Sequence, residues 1–78
     1  HAKQPHPYEE ILRIIMEAGY ASSDLLYQQC SMNISQIDYI LDDLEFYDIV
    51  SSEDEYGIRE VYISSIEEGL EILEKSSI

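Results

Sequence analysis

The stretch Ser31 to Val50, SMNISQIDYILDDLEFYDIV, constrains the fold of this chain more than any other. Asn33 followed three residues later by Gln36 is a capping-box pattern, in which each side chain satisfies a backbone N–H that the first turn of a helix leaves unpaired. A helix is expected to begin there. Ile34, Ile37, Ile40, Leu41, Leu44 and Tyr47 recur at spacings of three and four, which places them on one face toward a core. The opposite face reads Ser35, Gln36, Asp38, Tyr39, Asp42 and Glu45.

Upstream, Pro7 suits the first position of a helix, where its missing N–H costs nothing, and Glu9 and Glu10 favour the positive end of the helix dipole. A first helix is expected from Pro7 to Ala18, ending at Gly19. Its buried face would be Ile11, Ile14, Ile15 and Ala18, widened by Leu12 and Met16. Tyr20 and Ala21 form a connector with room for one extended pairing. Ser22 or Ser23 then caps a short second helix through about Gln29, whose buried side is expected to hold Leu25 and Leu26, with Cys30 at its edge.

After Tyr47 the period changes. Ile49 and Val50 open an extended segment, Ser51 to Gly57 is a polar turn, and Ile58, Glu60 and Tyr62 alternate with Arg59, Val61 and Ile63. This reads as a short antiparallel hairpin. Ser64 and Ser65 each have a glutamate three residues on, so either can cap a last helix through Lys75 with Ile66, Leu70 and Leu73 on its apolar face. Gly69 inside that helix is unfavourable by about 1 kcal/mol relative to alanine and marks close packing. The expected fold is mostly α with a small two- or three-stranded antiparallel sheet, a winged helix-turn-helix formed by residues 7–78 as a single domain. Residues 1–6 read as a loose tail or tag remnant, since the chain begins at His1 without a methionine.

Charge bears directly on function. Four basic residues oppose seventeen acidic ones, a formal net charge of -13 with both histidines neutral. Nonspecific DNA affinity comes mostly from Lys and Arg displacing counterions, so this surface repels a phosphate backbone. The acidity reads either as a well-solvated surface or as a docking face for a basic partner. One cysteine and the lack of any apolar run near eighteen residues point to a soluble, cytoplasmic chain with no intrachain disulfide and no membrane partner.

From Gly19 to Val50 the chain resembles the archaeal winged-helix regulators, similar to small crenarchaeal DNA-binding proteins that dimerise through a C-terminal helix. That family carries a stretch similar to L-S-x-x-x-L-x-x-Y-L-x-x-L-x-x-x-G-L-I over the recognition helix and wing entry. Met32, Asn33, Ile37, Ile40, Leu41, Leu44, Asp48, Ile49 and Val50 occupy the corresponding places, with Asp48 where glycine is usual. The resemblance implies a transcription-regulator module with its third helix in the major groove. The family's basic contacts, however, are replaced here by Ser22, Ser23 and Asp24 on the second helix, Asp38, Asp42 and Asp43 on the third, and Glu53, Asp54 and Glu55 at the wing tip.

Three sets of candidate residues follow. Ser35, Gln36, Asp38, Tyr39 and Asp42 form the recognition-helix surface, where Gln36 suits adenine and the aspartates accept only from cytosine. Tyr56 and Arg59 are candidate wing contacts. Phe46, Ile66, Leu70 and Leu73 are candidates for a dimer or partner surface, with packing under the wing the other reading of Phe46. No catalytic residue, metal site or cofactor is expected: the carboxylates lack a companion Lys or His, and Cys30 reads as a small core residue. The leading expectation is a non-enzymatic module acting through protein contacts, as a homodimer or with a basic protein partner; the alternative is sequence-specific binding of duplex DNA.

Overall fold

The computed structural model describes residues 6–75, which form four helices: α1 (Glu9–Ala18), α2 (Ser23–Gln29), α3 (Ile34–Phe46) and α4 (Ile66–Lys75). Residues 1–5 of the proposed tail, and residues 76–78, lie outside the described residues. Among those described, no helix is long and apolar enough to cross a membrane.

Local hydrogen bonding sets the helix boundaries. The first helix starts later than expected because residues 6–8 form a turn: Glu9 N–H donates to the His6 carbonyl at 3.0 Å, and Tyr8 N–H to His6 Nδ1 at 3.0 Å. Gly19, at φ +84°, closes α1. Ser22 Oγ accepts from Leu25 N–H at 3.0 Å, which identifies Ser22 as the cap of α2. At α3 the capping box is complete, with Asn33 Oδ1 accepting from Gln36 N–H at 2.9 Å and Gln36 Oε1 accepting from Asn33 N–H at 3.3 Å. At α4 the duties are split between the serines: Ser65 Oγ accepts from Glu68 N–H, while Glu68 Oε1 accepts from Ser64 N–H at 2.7 Å.

The exit from α3 explains Asp48. Ile49 N–H donates to the Leu44 carbonyl at 2.9 Å and Asp48 N–H to that of Glu45 at 3.0 Å. Those paired bonds are a Schellman closure, which needs a left-handed residue between them. Asp48 takes φ +58°.

Packing modifies the expected faces. On α1, Ile11, Leu12 and Ile15 are buried, Ile14 and Met16 only partly, and Ala18 is exposed. Leu12 replaces Ala18 because α4 lies against α1 on that side. On α3, Ile37, Ile40, Leu41 and Leu44 are buried, Tyr47 partly, and Ile34 in the first turn is exposed. In α2, Leu26 is fully buried while Leu25 and Cys30 are half-buried. Gly69 is buried at the α1–α4 contact, where an added Cβ would lie 2.8 Å from Ile63 Cδ1 and 3.1 Å from Leu12 Cδ1.

The expected sheet is reduced to two isolated antiparallel bridges, Ala21 with Arg59 and Val50 with Val61. Ala21 and Arg59 exchange both backbone bonds, at 3.0 and 2.8 Å, so the connector does make one extended pairing. A longer ladder is interrupted at Ser51, whose Oγ accepts from Glu60 N–H at 2.8 Å while its carbonyl accepts from Arg59 Nη1 at 3.1 Å; at the tip Asp54 Oδ1 accepts from the N–H groups of Tyr56 and Ile58 and Gly57 turns at φ +77°. Along the returning segment Arg59 and Ile63 face inward, and Glu60 and Tyr62 face out.

Candidate functional site

Helix periodicity gathers Ser35, Tyr39, Asp42 and Phe46 into one stripe, since steps of four, three and four residues return to nearly the same angle. Tyr39 is 69% exposed and Phe46 79%, so two aromatic rings stand in solvent on this stripe. Phe46 does not pack under the returning segment. Its ring meets Tyr47 edge-on, with centroids 5.1 Å apart.

The flanking groups are engaged in different ways. Gln36 is held in the capping box, and Asp38 accepts from Ser23 Oγ at 2.8 Å, tying α3 to α2. Asp43 accepts from the Tyr8 hydroxyl at 2.8 Å. Burial and then that hydrogen bond push the Tyr8 phenol well above its ordinary range, so the hydroxyl stays a donor. Asp42 and Glu45 lie toward Arg59.

Arg59 overturns one expectation. It is a buried residue, not an exposed wing contact, with Nη1 donating to Glu45 Oε1 at 2.7 Å and to the Ser51 carbonyl at 3.1 Å, and Nη2 3.6 Å from Asp42 Oδ1. The side chain is turned inward by the alternation of its segment, and the C-terminal turns of α3 supply the carboxylates. The hydrogen bond from Arg59, helped by one from Ser52, holds the Glu45 carboxyl below the usual carboxylate range. Tyr56, the other wing candidate, is 80% exposed at the tip.

The proposed dimer surface is also divided. Leu73 is buried within the chain's own core, and Ile66 and Leu70 are partly buried against it, because α4 turns its apolar face to α1. Phe46 alone of the four is widely exposed.

A groove of ≈ 390 Å³ runs between residues 7–8 and α3, walled by Pro7 and Tyr8 on one side and by Met32, Ser35, Tyr39 and Ile40 on the other. A smaller depression of ≈ 250 Å³ continues past Tyr8 toward Asp43 and Tyr47. Sequence reasoning missed the groove because Tyr8 and Asp43 meet across 35 residues of chain. The one local signal was Pro7, which fixes a corner ahead of α1.

The electrostatics of the region are one-sided. Each cation among the described residues lies close to a carboxylate: Arg13 to Glu9 at 3.3 Å, Arg59 to Glu45, and Lys75 to Glu71 at 3.9 Å. Among these residues no group of three or more His, Cys, Asp or Glu is placed to hold a metal ion. Burial, and secondarily Glu10, pushes the Cys30 thiol up, which disfavours the nucleophilic thiolate. The arrangement can attract cations and bury apolar side chains. Compared with protein-family models, curated proteins and solved structures, the chain matches none.

Proposed function

We propose that this chain is a winged helix-turn-helix module of transcription-regulator type that works by contacting a basic protein partner through the outer face of α3. The order of three helices, two bridged extended segments and a final helix supports the module type. The observation that carries the partner class is the pairing of every described cation with a carboxylate, while exposed Tyr39 and Phe46 sit among Asp38, Asp42 and Asp43. Such a face repels phosphate and favours Lys and Arg.

Direct DNA binding is the second reading, favoured by the exposure of Ser35, Gln36 and Tyr39 on the helix that would enter the groove. Self-association through α4 has less support, since Leu73 is committed to the core. Selection from a randomised duplex pool at low salt separates the first two. The expected result is no retained duplex; an enriched sequence whose affinity falls steeply with salt overturns the proposal.

A further inference from the structure

We infer that the groove beside α3 receives an apolar side chain of the basic partner, so that the partner segment is an apolar anchor flanked by Lys or Arg. This rests on the proposed docking role of the α3 face and adds what the partner must look like.

The groove walls are mainly the apolar bodies of Pro7, Tyr8, Met32, Tyr39 and Ile40, with Ser35 and Gln36 completing the lining. Its ≈ 390 Å³ lies near the lower end of the ~300–1,000 Å³ over which concave sites enclose ligand groups. Side chains of leucine or phenylalanine size suit such a space. The groove leads to charge: Tyr8, which lines both this groove and the next depression, donates its hydroxyl to Asp43 of that depression, and Asp42 and Asp38 lie farther round α3, toward Arg59 and Ser23. No described Lys or Arg lines either depression; His6 borders the second.

Charge complementarity selects the occupant. A second copy of this chain brings the same acidic excess, with four basic residues against seventeen acidic ones, and a nucleic acid brings phosphates. A basic segment gains at both steps, burying its apolar residue in the groove and pairing its cations with the aspartates. Buried anchors in pockets with charged surroundings are where interface energy concentrates.

The test is selection of displayed nine-residue peptides from a randomised library on the full chain, followed by titration of the enriched peptides. Expected are sequences with one aliphatic or aromatic position flanked by Lys or Arg. Ser35→Trp, which fills the groove from an exposed position, then weakens binding by about tenfold or more, as expected for loss of an anchor pocket. Asp43→Asn lowers the salt dependence of binding. Tyr39→Ala, removing the other wall, gives a second readout, and circular dichroism verifies that each variant folds. Basic peptides with no apolar preference and no response to Ser35→Trp overturn the groove but leave the basic-partner reading standing. Apolar peptides without cations overturn the partner class, and enrichment of neither kind overturns both.

Discussion

Asp48 occupies a backbone conformation that costs an ordinary residue about 1 kcal/mol and glycine little. Asp48→Gly is therefore expected to raise stability by about 0.5 kcal/mol, part of the relief being offset by glycine's greater freedom when unfolded. The urea midpoint measures it, and a fall would show that the aspartate side chain contributes something the turn geometry does not require. Arg59 sets a second expectation. The Glu45 carboxyl is held low in the folded chain, so the unfolded chain binds its proton first as pH drops. The contribution is present above the ordinary glutamate value of about 4.3 and is lost as pH falls through the lower folded value. Arg59→Gln should flatten this part of the acid limb, and should cost about 1 kcal/mol near neutral pH through the Ser51 carbonyl bond and lost stem packing. Denaturation midpoints of both proteins across acid pH are the measurement; parallel curves would contradict the assigned pairing.

The starts of α2, α3 and α4 were legible in sequence because they depend on residues three apart, whereas α1, which has no side-chain cap, begins two residues later than its proline implied. Ser22, Asn33 and Ser65 each accept the backbone bond that their spacing implies. Asn33→Ala should cost about 1 kcal/mol, and adding Gln36→Ala should cost less than the sum of the two single changes, since the box bonds are reciprocal. Thermal melts of the two single variants and the double variant test this. Simple additivity would mean the two bonds act independently. The hairpin was less legible. Its alternation was correct, but the ladder stops where Ser51 Oγ takes the Glu60 N–H and Asp54 closes the tip with two amide bonds, and no periodicity encodes either.

Across the whole molecule the acidic excess is the dominant electrostatic fact. With a formal charge of -13 on 78 residues, carboxylates repel one another in the compact state more than in the expanded one. Added salt shortens the range of that repulsion to about 3 Å at 1 M, so the melting temperature should rise with sodium chloride. A melting temperature that falls would mean that ion pairs such as Arg59 with Glu45 outweigh the general repulsion. The same excess sets the partner class, since no described cation is left away from a carboxylate.

By itself the sequence determined the helix order, the capping box of α3, a serine cap for α2 and α4 within a two-residue choice, and close packing at Gly69. These are matters of spacing and backbone chemistry within a few residues. Which serine caps each helix and the left-handed turn at Asp48 came from the structure. Tertiary structure alone decided that Arg59 is buried, that Leu73 belongs to the core and that Pro7 and Tyr8 close a groove against α3. Each of those depends on which distant segment arrives opposite a given side chain, and burial is a property of that meeting, not of the residue.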